Sequence, residues 1–307
     1  MKTQNLLLFL FFTSLFSSCD NSVEPDEINY HNKILFTSSR RGIPQLFMMN
    51  PDGTDIRQIT SGQYSHGGGR WSPDSKQIVA STDENWNTAC YSHMVVMNSD
   101  GKNRKMLGCG SQMSWSPDGK KMLFSHCLNC ELGGRDFGLF IINLNVKDVL
   151  QLPFNGGAPE WSPDGNRILF GAWTDSITQS IYYIVDYPNF TNIRTIAFNT
   201  AYPAWSPTGS DIVFSMQSQG KPNSEIFIMD TTGAIIQQVT NHQWKGDFYY
   251  PRWSSDGQKI IFISQYFIES LPPGTPPQFL LYMVNKDGTN LHKVIDDSTI
   301  TSADWSQ

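Results

Sequence analysis

The sequence predicts an all-β chain folded as a six-bladed β-propeller, with four antiparallel strands per blade and a ring closed by the C-terminal strand. Three observations carry this. A Trp-Ser-Pro-Asp-Gly phrase recurs along the chain, and a second, apolar phrase recurs six times between its copies. The composition, with 24 Gly, 17 Pro, 13% aromatic and only 16% charged residues in 307, suits a turn-rich sheet protein rather than a coiled coil or a disordered polyelectrolyte.

The first phrase reads Trp71-Ser72-Pro73-Asp74-Ser75, Trp115-Ser116-Pro117-Asp118-Gly119, Trp161-Ser162-Pro163-Asp164-Gly165, Trp205-Ser206-Pro207-Thr208-Gly209, Trp253-Ser254-Ser255-Asp256-Gly257 and a truncated Trp305-Ser306. Successive Trp residues lie 44, 46, 44, 48 and 52 positions apart, a period that belongs to propeller blades or helical arrays. Pro presets φ and Gly accepts the left-handed position, so each phrase is a tight turn. Seven residues past each Trp stand Ile78, Met122, Ile168, Ile212 and Ile260, and nine past stand Ala80, Phe124, Phe170, Phe214 and Phe262. This period-2 alternation is a strand with one buried face.

The second phrase is a continuous apolar run, as in Leu46–Asn50, Met94–Asn98, Leu139–Asn143, Tyr182–Asp186, Ile226–Asp230 and Leu281–Asn285. Such runs suit strands buried on both faces, and most lead into hairpin signals such as Asp52-Gly53, Asp100-Gly101 and Asp287-Gly288. A fourth strand, as in Arg57–Thr60 and Gln237–Thr240, completes each unit. The strand at Lys33–Phe36 has no Trp before it. Thr301–Trp305 therefore supplies the innermost strand of the first blade, a closure that removes exposed sheet edges.

Turns of the Trp-Ser-Pro-Asp-Gly type, Ile-x-Phe strands and Asn-x-Asp-Gly hairpins together resemble TolB-like six-bladed propeller lipoproteins over residues 31–307. The resemblance implies an envelope protein. TolB proteins also carry an α/β domain before the propeller, whereas here about ten residues separate Cys19 from the first strand, so that domain's role in the Tol system does not carry over. Related peptidases add an α/β-hydrolase domain with a Gly-x-Ser-x-Gly elbow; neither is expected here.

Lys2 followed by the apolar run Leu6–Phe16 reads as a signal peptide over residues 1–18, too short for a permanent membrane helix. Small residues before Cys19 resemble a lipobox, with Phe16 departing from its usual Leu, Val or Ile, and make Cys19 the expected lipidation site. Residues 19–30 form an acidic tether that resembles the export signal of some surface lipoproteins. The membrane is engaged through this lipid only.

Functional residues should break the repeat. With strands lettered A to D outward from the channel, the B–C and D–A loops emerge on one face and the repetitive turns on the other. The three Trp outside the repeat, Trp86, Trp173 and Trp244, all map to that loop face. Tyr64, Tyr202, Phe248, Tyr249, Phe267, Arg40, Arg41, Arg135, Asp175 and Asp247 map there too. Aromatics mixed with Arg compose a binding surface, and packing of the loops onto the rim is the alternative. The residues preceding each repeat Trp, namely Arg70, Ser114, Glu160, Ala204, Arg252 and Asp304, are expected at the channel, as a ring of ion pairs or as a site for a charged ligand.

Apart from Cys19, four cysteines gather on the loop face. In an exported protein they suggest Cys90–Cys109 and Cys127–Cys130 disulfides, with Cys109 to Cys127 or Cys130 as alternatives and a zinc site using His93 and His126 as the rival. His66, His93 and His126 are the one metal-like constellation, comparable to the His-held metal of some pectin-degrading lyases that resemble this propeller class. No catalytic residues or cofactor are expected.

A net charge of −6 argues against nucleic acid. The expected function is a monomeric, lipid-anchored extracytoplasmic propeller, at the periplasmic side or outer surface, that binds an envelope protein or glycan through the loop face. A metal-assisted polysaccharide lyase is the alternative.

Overall fold

The computed structural model describes residues 30–84, 90, 92–129, 136–173, 180–198, 200–217, 223–241, 246–266 and 278–306. Twenty-four strands form six four-stranded antiparallel sheets, which are the six blades. Blade 1 takes β1 (Ile34–Ser38), β2 (Gln45–Met49) and β3 (Arg57–Gln58) from the start of the chain. Blade 2 runs from β4 (His66–Trp71) through β5 (Gln77–Thr82) and β6 (His93–Asn98) to β7 (Lys105–Cys109). Blade 3 holds β8 (Ser111–Trp115), β9 (Lys121–Cys127), β10 (Phe137–Asn143) and β11 (Val149–Asn155). Blade 4 holds β12 (Gly157–Trp161), β13 (Arg167–Trp173), β14 (Ser180–Asp186) and β15 (Arg194–Phe198). Blade 5 holds β16 (Thr200–Trp205), β17 (Asp211–Gln217), β18 (Ser224–Asp230) and β19 (Ile235–Gln238). Blade 6 holds β20 (Gly246–Trp253), β21 (Lys259–Tyr266), β22 (Gln278–Asn285) and β23 (His292–Lys293). The last strand, β24 (Ile300–Trp305), pairs with β1 as the innermost strand of blade 1, as the missing Trp predicts. Among the described residues no helix is long and apolar enough to cross a membrane.

The repeated phrase works through its serine. In blade 3 the Ser116 hydroxyl donates to the Asp118 carboxylate (2.6 Å) and accepts from the Lys121 backbone N–H (2.9 Å), while the Gly119 N–H donates to the Ser116 carbonyl (2.9 Å). The turn thus satisfies its own backbone. Blade 1 rebuilds this pattern between the two chain ends: the Ser306 hydroxyl accepts from the Lys33 N–H (2.6 Å), and the Ser306 N–H donates to the Lys33 carbonyl (2.9 Å).

The core lies between blades. Each of six apolar clusters draws on two neighbouring sheets; Ile34, Phe36 and Trp305 of blade 1, for example, pack with Ile261, Ile263 and Leu281 of blade 6. The six repeat Trp residues are 5–7% exposed, which makes them core residues. The Asp-Gly hairpins dock on the preceding blade. A Cβ on Gly101 (φ +81°) would sit 2.2 Å from the Ile59 carbonyl oxygen, and one on Gly233 (φ +92°) 2.2 Å from that of Ile196. Glycine is required there for both conformation and space.

Candidate functional site

The channel is divided at mid-height by charge. Arg70 on β4 and Arg252 on β20 both reach Oε1 of Glu160 on β12, at 3.0 and 2.9 Å, so one carboxylate oxygen joins blades 2, 4 and 6. Arg70 also contacts Asp304 on β24 (3.3 Å), whose other oxygen accepts the Trp71 N–H (2.9 Å). Glu160 is 13% exposed, and its burial lifts the carboxyl to about 7 even though Arg70 opposes the shift. Burial likewise raises Asp304, again against Arg70. The residues preceding the repeat Trp therefore meet at the channel, and four of them form an open chain of three ion pairs, Arg252–Glu160–Arg70–Asp304.

On either side of this plug lies a cavity. The one on the turn face, about 370 Å3, is lined by the six repeat Trp and the turn prolines. The one on the loop face, about 380 Å3, is lined by the first residues of the innermost strands. Arg70, Glu160 and Arg252 floor it, whereas Asp304 borders only the turn-face cavity.

A feature the repeat pattern did not announce shapes this loop-face chamber. Five of the six innermost strands carry a β-bulge that places the residue three before the Trp in the left-handed region: Gly68 (φ +61°), Gln112 (+52°), Ala158 (+48°), Tyr202 (+55°) and Tyr250 (+53°). All five line the chamber. Such a backbone is costly for any residue but glycine. Tyr202 lies against Tyr250 with ring centroids 3.9 Å apart and against Tyr249 at 5.9 Å, and the Tyr182 hydroxyl accepts from the Tyr202 N–H (3.4 Å). Burial pushes the Tyr182 and Tyr249 hydroxyls up to about 12, and that of Tyr250 upward as well, so all remain protonated donors. Gln112 has its side-chain oxygen occupied by the Ala158 N–H (2.8 Å) and the Ser125 hydroxyl (3.0 Å).

The other expected site residues spread over the rim. Arg40 clamps Asp297, with Nη2 at 2.6 Å, and lies over the rings of Phe36 and Phe47, so it is a structural residue. Arg41 is exposed and donates to Gln58 (2.7 Å). Tyr64 is half-buried, its carbonyl accepting from Gln45 (2.8 Å). His66 is buried rather than solvated; its Nε2 is 2.7 Å from Arg104, which pairs with Glu84 (2.6 Å), and burial lowers its pKa. Phe248 is fully buried against Phe262, in the core and not on the binding face. Trp173, assigned to a loop from the sequence, ends β13. Trp86, Arg135, Trp244, Phe267, Cys19 and Cys130 lie outside the described residues.

Cys90 and Cys109 form a disulfide with Cα atoms 5.6 Å apart, and Cys127 is also disulfide-bonded, with a partner outside the described residues. His93 lies beside the first of these, the three potential ligand atoms falling within 4.8 Å of one another. Both sulfurs are consumed by the S–S bond, so the trio offers no thiolates, and zinc does not fit it. His66, His93 and His126 form no ligand cluster among the described residues.

Comparison with known proteins places this geometry. The model of the TolB beta propeller domain matches residues 88–270 and, overlapping, 158–307. No curated protein matches the chain. Among solved structures, TolB from Acinetobacter baumannii superposes with a TM-score of 0.71 at 19% identity, covering 91% of this chain and 67% of that one. An oligogalacturonate lyase in complex with manganese gives 0.55 at 16% identity over 85% of this chain and 73% of its own. The oligogalacturonate lyase of Vibrio parahaemolyticus gives 0.56 at 14%, over 85% and 74%. At these identities the likeness concerns the fold.

Proposed function

Since the chain belongs to the TolB β-propeller domain family, we propose that it is a binding propeller of the cell envelope, lipid-anchored at Cys19, which recognises a protein or glycan partner through its loop face. One observation carries the reading. The loop-face chamber has blade-specific walls of tyrosine, glutamine and serine over a floor of Arg70, Glu160 and Arg252, whereas the opposite face repeats its Trp in every blade and its proline in four. Tyrosine and arginine supply contact area and hydrogen bonds at little entropic cost, which is what recognition needs. Among the described residues the candidate histidines form no ligand cluster, so the binding reading is the better supported.

The test presents the full chain, in detergent, to glycan and peptide arrays beside a variant in which Trp86, Trp173 and Trp244 are all Ala. A class of ligand retained by the native chain and lost by the variant is expected. Equal retention by both, or by neither, overturns the reading. Incorporation of labelled fatty acid that vanishes in Cys19→Ala tests the anchor separately.

A further inference from the structure

The loop-face chamber carries a more specific reading, which rests on the binding role just proposed and narrows it to a chemistry. Its floor is charged. Arg70, Arg252 and Glu160 border it, and Asp304, paired with Arg70 at 3.3 Å, balances the second guanidinium from the other side of the plug, so the chamber itself meets two guanidiniums and one carboxylate. Every other residue lining the chamber is uncharged.

Arg252 is incompletely used. One terminal nitrogen donates to the Pro251 carbonyl (2.9 Å) and the other to Glu160 (2.9 Å), while Nε is buried without a hydrogen-bond partner, on a side chain 11% exposed. A buried guanidinium N–H left unmade is costly, and a guanidinium with donors in hand bonds an oxyanion more strongly than a neutral acceptor. Above it the walls present donors. With its oxygen held by Ala158 and Ser125, Gln112 keeps its Nε2 hydrogens for a ligand, and Tyr202 and Tyr250, whose side chains hydrogen-bond each other, line the same chamber. Three of the five left-handed positions hold Gln112, Tyr202 and Tyr250, where glycine would be least strained. The bulges bring these side chains to the chamber wall.

We propose that the loop-face chamber is a carboxylate-binding pit, in which Arg252 takes the acid group of a slender ligand and Gln112 and the Tyr202–Tyr250 pair hold the atoms behind it. A blind chamber of about 380 Å3 fits a small organic acid or the last residues of a peptide with a free C-terminus. Both sources offer the same group to the floor. Glu160, shared by two guanidiniums and with its carboxyl raised by burial, opposes such a ligand less than an isolated carboxylate would.

The experiment is calorimetric titration of the full chain in detergent with two matched pairs: glucuronate against glucose, and an acetylated trialanine acid against its C-terminal amide. At least one acid is expected to bind saturably and at least tenfold more tightly than its neutral partner, and which acid binds identifies the source. Arg252→Lys, which keeps the charge beside Glu160 but lacks Nε–H, is expected to lose at least tenfold in affinity while its circular dichroism spectrum shows it still folded. If that variant does not fold, Gln112→Ala replaces it, with a loss of at least threefold expected. Acids that bind no better than their neutral partners, or a folded variant that binds as well as the native chain, overturn the carboxylate pit. If the arrays still retain a ligand in that event, the broader role of the loop face stands; if they too are empty, both readings fall together.

Discussion

The two mouths of the channel enclose nearly equal cavities, about 370 Å3 on the turn face and 380 Å3 on the loop face, yet they are made in opposite ways. Around the turn face each blade contributes its Trp and, in four blades, the same proline. Around the loop face the corresponding residues, Gly68, Gln112, Ala158, Tyr202, Tyr250 and Ser302, agree in almost nothing. Repetition accompanies residues that hold blades together, and departure from it accompanies residues free to meet something else. Between them, the charged plug belongs to both.

The contrast breaks if turn-face residues govern binding or loop-face residues govern stability. The largest effect is expected at Trp305→Ala. Removing this 5%-exposed side chain from the cluster that joins blades 1 and 6 should cost ~3–5 kcal/mol, read as a lowered melting temperature. Next comes a covalent brace of the loop face. Reducing Cys90–Cys109, which closes a separation of 19 residues, should cost ~3 kcal/mol in denaturant unfolding. An unfolding midpoint that reduction leaves unmoved would remove this disulfide from the stability of the loop face.

The plug should respond to pH. Burial raises Glu160 from its ordinary 4.5 to about 7 among Arg70, Arg252, Asp304 and Tyr182. The folded protein therefore keeps a proton that the unfolded chain has released between those values, and stability falls as pH rises through that window. Melting temperatures of Glu160→Gln measured from pH 5 to 8 should decline less steeply than those of the native chain; parallel declines would remove Glu160 from the explanation. The turn aspartates Asp118 and Asp256, whose carboxyls are held low by Ser116 and Ser254, act with the opposite sign and at lower pH. The smallest effects separate two neighbours on the rim. Arg40→Ala strands buried Asp297 and should cost ~1–3 kcal/mol, whereas exposed Arg41→Ala should change stability by less than ~0.5 kcal/mol.

The blades, their number and their closure were readable because a Trp recurring at a blade-length period leaves little else for the chain to be, and because its absence before Lys33 demanded a strand from elsewhere. The plug was readable for the same reason, each of its members being indexed by the Trp that follows. Of the chamber walls only Tyr202 was. A bulge inserts one residue into the alternation, so counting by twos from Trp205 or Trp253 gives no hint that Tyr202 and Tyr250 come together. Gln112 carries no signal of its own in the sequence; its role depends on Ala158 in the neighbouring blade. Strand length was also underestimated, which is why Phe248, read as a loop residue, proves to be core.

The closure of blade 1 sets a direction for the whole molecule. Ile34 pairs with Trp305, and Tyr30 lies against Trp71 with ring centroids 6.1 Å apart, so the chain enters the propeller beside the tight turns. Whatever precedes Tyr30 therefore meets the repetitive face of the propeller, and the variable chamber opens at the opposite mouth, so a ligand and the incoming chain do not compete for the same end of the channel.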